Sequence, residues 1–189
     1  MAVQTLADIQ ALESVALARR ELPASTYEAL RRCAGEHATS TALSFFLEAK
    51  DFRRTHDWTY AELFADITRA ANAFHRLGIG PKDVVAFLLP NLPETHFVIW
   101  GGEAAGIVLA INPLLEAAQI GDLLRAANAR LVVTLAPTPG SDLWPKLASQ
   151  LDSLPGVQEV LWVSMAPYVG TVASLALRWM ARRERQRHP

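Results

Sequence analysis

Residues 58–113, WTYAELFADITRAANAFHRLGIGPKDVVAFLLPNLPETHFVIWGGEAAGIVLAINP, decide the fold. Thr59 is a good N-cap, and Glu62, three residues on, can reach back to close a capping box. Trp58 at N′ and Leu63 at N4 are the two halves of a hydrophobic staple. Leu63, Ile67, Ala70, Phe74 and Leu77 recur at spacings of four, three, four and three, one buried stripe along a helix. Gly78 supplies the left-handed residue that ends it, and Ile79 can pack back on Phe74 as a Schellman closure requires. After the turn Pro81-Lys82-Asp83, Val84 to Leu89 is a continuous apolar run. Such a run, unlike an alternating one, marks a strand covered on both faces.

The pattern then repeats. Pro93 opens a helix through about Ala105, Gly106 ends it, and Ile107 to Ile111 is a strand. Glu116 to Ala127 predicts a helix and Leu131 to Leu135 a strand. Asp142 caps a helix to about Leu154, and Val160 to Val163 is the last strand. Strands alternating with helices through short loops imply right-handed βαβ crossovers. The predicted class is α/β, a mostly parallel sheet of repeated βαβ units flanked by helices.

Residues 1–57 read as a lead-in of short helices and a strand. Ile9, Leu12, Val15 and Ala16 share one helical face, with Arg19-Arg20 in the last turn, where they suit the helix dipole. Thr26 to Cys33 predicts a second short helix, Ala42 to Leu47 a strand, and Asp51 to Asp57 a polar turn. Residues 58–165 form the α/β subdomain, and 166–189 a basic amphipathic tail helix. From residue 168 onward five arginines (178, 182, 183, 185, 187) face one acid, Glu184. That is +4, and with a total of −1 it leaves −5 on the rest. Val172, Leu175, Trp179 and Met180 give the tail helix a loose apolar face.

At 189 residues the chain can bury a real core as one domain. A composition that is 51% hydrophobic and 20% charged is that of an ordinary globular protein. The net charge of −1 exerts no global pull toward nucleic acid or anionic membrane, and no nucleic-acid partner is expected. The single cysteine, Cys33, forbids an internal disulfide and suits a reducing cytoplasm; it reads as a plain helix or loop residue. Asp8, Glu13 and the lack of a basic leader argue against a signal peptide. The longest apolar run, Ala104 to Leu115, is broken by Asn112-Pro113 and is too short to span a bilayer. The expected location is the cytoplasm.

A search for chemistry assigns no catalytic, cofactor-binding or metal-binding residue. Neither G-x-G-x-x-G nor G-x-x-x-x-G-K-[ST] occurs. Gly101, Gly102 and Gly106 lie within or at the end of a helix and read as close helix packing. Pro137 to Asp142 follows a strand and precedes a helix, as an anion loop would, but one glycine and no lysine make it an ordinary loop. His37, His56, His75, His96 and His188 show no ligand spacing. His56-Asp57 reads as a solvated turn, His75 as a surface residue near a helix C-terminus, and His96 as structural or at a pocket edge. No G-x-S-x-G elbow is present, and Ser44, Ser141, Ser149 and Ser153 lack an activating context. Asn91 closes a strand at its carboxyl end, where open α/β sheets place ligands, yet between two prolines it is first a turn residue.

Four motifs occur in order: Thr59-Tyr60-x-Glu62-Leu63, Gly80-x-x-x-Asp83-x-Val85, Leu89-Pro90-Asn91-x-Pro93-Glu94 and Gly106-x-x-x-x-x-Asn112-Pro113. With the downstream QIGDLLRAANARLVVT, they resemble the N-terminal region of the AMP-forming acyl-CoA synthetases. That group includes acetyl-CoA synthetases, peptide-synthetase adenylation domains and firefly luciferase. The resemblance implies part of the N-terminal domain of an adenylate-forming enzyme. It also implies a whole-family reaction: a carboxylic acid, fatty acids included, is activated with ATP and Mg²⁺ as an acyl-adenylate and transferred to coenzyme A.

The family's phosphate loop (Thr-Ser-Gly-Thr-Thr-Gly-x-Pro-Lys-like), its Tyr-Arg-Thr-Gly-Asp-like segment and its C-terminal domain have no counterpart in these residues. The matching positions are scaffold, so no catalytic role carries over, and the chain alone is expected to hold no cofactor. The resemblance implies a truncated or split form, inactive alone, whose partners are the remaining synthetase portion or a second copy. A second reading is a non-catalytic interaction module, with the arginine-rich tail touching anionic lipid. A third, a small flavodoxin-like protein, is opposed by the missing phosphate loop.

Overall fold

A computed structural model describes residues 3–186. Its helices are α1 (Leu6–Glu13), α2 (Thr26–Glu36), α3 (Tyr60–Arg76), α4 (Pro93–Ala105), α5 (Ala117–Ala126), α6 (Leu143–Ala148) and α7 (Thr171–Arg185). The strands are β1 (Thr41–Phe45), β2 (His56–Thr59), β3 (Val84–Leu88), β4 (Ile107–Ala110), β5 (Ala129–Leu135) and β6 (Glu159–Val163). Strands β3 to β6 make one parallel sheet in the order β4-β3-β5-β6, and β1 and β2 pair separately as an antiparallel ribbon. This is the predicted α/β class.

α3 forms as its sequence dictates. The Thr59 hydroxyl accepts from the Glu62 amide at 3.2 Å, and the Glu62 carboxylate accepts from the Thr59 amide at 2.9 Å. Ile67 and Phe74 are buried, and Ala70 and Leu77 pack against the core. At the other end Gly78 takes φ +80°, the Ile79 amide donates to Phe74 O at 3.0 Å, and the Gly78 amide donates to His75 O at 2.9 Å. These two bonds are a Schellman closure. The Trp58 indole donates to Asp66 at 3.1 Å and lies edge-on to Phe97.

The continuous apolar runs become the central strands. Val85, Ala86 and Leu88 of β3 and Leu131 and Val132 of β5 are wholly excluded from water. Each fully buried Val, Leu or Ile contributes about 1.5–3 kcal/mol. Thr134 is equally buried, and its hydroxyl donates to Leu88 O across the strand pair. With right-handed crossovers, the strand order places α3 and α4 on one face and α5 and α6 on the other. α3 and α4 pack most closely. A Cβ on Gly101 would stand 2.8 Å from the Ala70 Cβ and 2.9 Å from Ile67 O, and one on Gly102 would stand 2.5 Å from Val108. The glycines are there for close packing, as read.

Four expectations are corrected. The polar turn over Asp51–Asp57 ends early, because His56, Asp57 and Trp58 pair with Phe45, Ser44 and Leu43 in the β1–β2 ribbon. A two-stranded edge ribbon demands no apolar alternation, so its sequence carries little strand signal. The N-terminal helix stops at Glu13, and Arg19 sits in a 3₁₀ turn, Leu17–Arg19. Arg20 nevertheless reaches back to Leu12 O and Val15 O, satisfying carbonyls beyond the helix end. Ile9, Leu12 and Val15 are exposed rather than packed.

The helix after Asp142 is also shorter than predicted. α6 ends at Ala148, where the Ser149 hydroxyl bonds back to Lys146 O, and a 3₁₀ turn follows over Leu151–Ser153. Asp142 stands at the N-cap position but gives its carboxylate to Lys146 at 2.8 Å instead of to an amide. The tail helix begins at Thr171, after a 3₁₀ turn over Ala166–Tyr168, with Val172, Leu175 and Trp179 facing outward and Leu177 buried. Arg187 and His188 lie outside the described residues. No described helix is long and apolar enough to cross a membrane.

Candidate functional site

The strand order fixes where a ligand crevice can form. The connection leaving β3 runs to β4 on one side, and the connection leaving β5 runs to β6 on the other. The gap between the carboxyl ends of β3 and β5 is therefore a topological switch point, the usual place for ligands in open α/β sheets. Leu89-Pro90-Asn91-Leu92 leaves β3 there, and Ala136 to Asp142 leaves β5. The β3 loop is fastened from inside: the buried Thr95 hydroxyl donates to Pro90 O at 2.8 Å and accepts from the Leu92 amide at 3.3 Å. Asn91, between them, is exposed.

The end of the β1 strand closes over this loop. Phe45, Phe46, Leu47, Leu92 and Met165 give an open groove of about 330 Å³ its apolar walls, and Ser44 and Asn91 are the polar side chains that line it. Beside it the Tyr168 hydroxyl donates to the Glu94 carboxylate at 2.8 Å. Phe45 and His56 both meet the Tyr168 ring edge-on, at 4.8 and 5.3 Å between centroids. Burial, and secondarily the bond to Glu94, push the Tyr168 hydroxyl well above the usual tyrosine range. The second Glu94 oxygen, Oε2, is buried without a hydrogen-bond partner among the described residues. Glu94 lies in the first turn of α4, where the helix dipole favours a carboxylate.

This cluster joins residues that are 74 apart in the chain. Nothing in the sequence around Tyr168 marks it for a role, and Glu94 stands out only within its motif. Nothing local pairs them, so only the register of β6 against β5 could have revealed the contact.

The other candidates resolve into structure. Ser149 and Ser153 donate to backbone carbonyls, and Ser141 accepts from the Leu143 amide. His75 is within 3.1 Å of Ile79 O through Nδ1, and His37 lies against Tyr60. Cys33 is half-buried on α2. A second groove, of about 340 Å³, lies between α2, α3 and α4. Within it Tyr27 bonds Thr68 at 2.9 Å, and Thr26 donates to Glu103 at 2.8 Å.

The family profile described as AMP-binding enzyme matches residues 30–184. The marinolic acid–CoA ligase of Pseudoalteromonas sp. (strain SANK 73390) is 33% identical over 144 residues, which is 76% of this chain and 22% of the relative. The crotonobetaine/carnitine–CoA ligase of Salmonella arizonae is 36% identical over 105 residues, 55% of this chain and 20% of the relative. Among solved structures, an anthranilate CoA ligase in complex with anthranoyl-AMP superposes with a TM-score of 0.63 at 19% identity, covering 77% of this chain and 26% of that one. A Mycobacterium tuberculosis fatty acyl CoA synthetase gives 0.59 at 24% identity, covering 77% and 28%. At those identities the structures establish likeness of fold. The chain belongs to the AMP-binding enzyme family, and it spans about a fifth of the length of these curated relatives.

The ATP and Mg²⁺ that the resemblance implies do not fit the residues described. Binding ATP with Mg²⁺ needs a run of amides and a lysine at the phosphates, with carboxylates for the metal. The loop after β5 offers one glycine, Gly140, and no lysine. Lys50 and Lys146 are paired with Glu48 and Asp142. Lys82 precedes β3, at the opposite end of the sheet. No group of three or more His, Cys, Asp or Glu among the described residues could hold a metal ion.

Proposed function

We propose that this chain supplies the N-terminal α/β scaffold of an AMP-forming acid–thiol ligase acting on fatty acids. The whole enzyme would convert a carboxylic acid, ATP and coenzyme A to an acyl-CoA, AMP and pyrophosphate. The observation that carries the reading is the family match over residues 30–184 on a sheet whose switch-point crevice is built from the Leu89–Glu94 motif. Support for an aliphatic acid comes from the groove wall of Phe45, Phe46, Leu47, Leu92 and Met165, which offers contact area and no cation for a second carboxylate.

In this reading the residues described do not adenylate by themselves, and the phosphate-binding loop and the closing domain belong to the remaining portion of the synthetase. The test is ATP–pyrophosphate exchange with a panel of fatty and aromatic acids. The purified chain gives no exchange, and mixing it with a segment carrying the missing parts restores exchange, strongest with fatty acids. Robust exchange by the chain alone would overturn the reading that it is inactive by itself. A preference for aromatic acids after mixing would remove the fatty-acid assignment.

A further inference from the structure

α7 is mounted with its larger apolar side chains outward. At 100° per residue, Leu177 and Glu184 point toward the body of the protein. Leu177 is buried, and Glu184 accepts from the Trp144 indole at 3.2 Å. The opposite face carries Val172, Leu175 and Trp179, at helical spacing i, i+3 and i+7. They are 83%, 62% and 61% exposed. A docked surface helix normally shows the reverse pattern, and a contiguous exposed apolar stripe marks an interaction surface.

Charge identifies the occupant. Arg178, Arg182, Arg183 and Arg185 stand against Glu184 alone in α7, a net +3 on the helix. Arg183 lies over the Trp179 ring at 5.5 Å, so cation and apolar group present together. Arg178, Arg182 and Arg185 rim an open groove of about 550 Å³ with Leu175 and Trp179. Apolar side chains beneath a rim of guanidinium groups match a bilayer surface, where acyl chains lie beneath phosphate oxygens. A second copy docked symmetrically would set +3 against +3, which opposes that contact.

We propose that α7 is a membrane-surface helix that binds bilayers containing anionic phospholipid. Val172, Leu175 and Trp179 enter the headgroup–acyl boundary, and Arg178, Arg182 and Arg183 pair with lipid phosphates, while Arg185 lies over Trp162 of the protein body. The helix lies in the plane of the surface and holds the parallel sheet against the membrane. This goes beyond the ligase reading and does not depend on it.

The test is flotation of the full chain with vesicles of phosphatidylcholine alone and of equal parts phosphatidylcholine and phosphatidylglycerol. The chain floats with the anionic vesicles only, and added salt weakens the binding. Replacing Arg182 and Arg183 together by Gln lowers the partition about 25-fold, at about fivefold per arginine near an anionic surface. Trp179→Ser lowers it about tenfold or more. All three sites are exposed, and unchanged thermal melting of the variants confirms an intact fold. Failure to float with anionic vesicles, or equal flotation with neutral ones, overturns the proposal. So does a dimer in solution that Trp179→Ser dissolves, which would make the stripe a contact between copies.

Discussion

The hydroxyl of Tyr168 donates to the carboxylate of Glu94 at 2.8 Å and ties the turn after β6 to the first turn of α4. One residue follows the last strand of the sheet, and the other follows the switch-point loop. The bond therefore holds two walls of the crevice in fixed register. Among the described residues it is also the one hydrogen bond to a carboxylate whose other oxygen is buried without a partner.

Tyr168→Phe keeps the ring contacts with Phe45 and His56 and removes that donor. The half-buried setting limits the loss to about 1 kcal/mol, seen as a melting temperature lower by a few degrees. The pH dependence is the sharper readout. Because the folded state raises the Tyr168 pKa above its ordinary value of 10.0, its stabilisation is complete below pH 10. It is lost as pH rises beyond that, since the unfolded chain gives up the proton first. Wild type should lose stability above pH 10 more steeply than Tyr168→Phe. Parallel alkaline melting curves for the two proteins would contradict the assignment.

Gly101 sets the distance between α3 and α4. An alanine there gains about 1 kcal/mol of helix propensity. Its Cβ, however, meets the Ala70 Cβ at 2.8 Å and Ile67 O at 2.9 Å, and the second of these is backbone that cannot swing aside. Overpacking of that kind costs about 1–3 kcal/mol and outweighs the propensity gain. Urea denaturation should show Gly101→Ala less stable than wild type and Gly101→Val less stable still. An alanine variant as stable as the parent would mean that the two helices can separate freely.

Thr59 accepts from the Glu62 amide and Glu62 returns a bond to the Thr59 amide, so each substitution orphans a donor. Thr59→Ala should cost about 1 kcal/mol, and Thr59→Ser should recover most of it. The backbone and side-chain bonds from Thr59 hold the Glu62 carboxyl below its usual range. Its contribution is therefore present above the ordinary glutamate pKa and lost as pH falls through the lowered folded value. Thr59→Ala keeps the backbone amide's bond and loses the hydroxyl's, so it should make that acid limb shallower without abolishing it in a melting-temperature profile from pH 7 downward.

Legibility in the sequence followed the range of the interactions. The caps of α3, its stripe and the run Val84–Leu89 are each written within a few residues, and all three appear as read. The β1–β2 ribbon was half missed, because His56 and Asp57 become a strand only through partners eleven and thirteen residues away, Phe45 and Ser44. The end of α6 at Ala148 depends on serine hydroxyls that compete for helix carbonyls, a weak and local signal set against a good apolar pattern. The outward face of α7 was written as an apolar stripe, but a stripe alone does not say which way it turns. Tyr168 and Glu94 meet only in the folded chain.

Asp83 carries the last expectation. Its Oδ2 accepts from the Gly80 amide at 2.8 Å and from Arg130 at 2.9 Å, joining the turn before β3 to the start of β5. Both side chains are about one-third exposed, at 32% and 30%, so the ion pair alone is worth at most about 1 kcal/mol and is partly screened by salt. The bond to the turn amide is local and insensitive to salt. Asp83→Asn keeps an acceptor for Gly80 and loses only the charge, whereas Asp83→Ala loses both. Asn should therefore fall about 0.5 kcal/mol below wild type at low salt and converge on it at high salt. Ala should fall about 1.5 kcal/mol below at low salt and keep a deficit of about 1 kcal/mol at high salt, the part due to the Gly80 bond. Guanidinium is itself a salt, so urea melts at low and high sodium chloride are the measurement. An Ala variant whose deficit vanishes with salt would mean that the Gly80 bond contributes nothing.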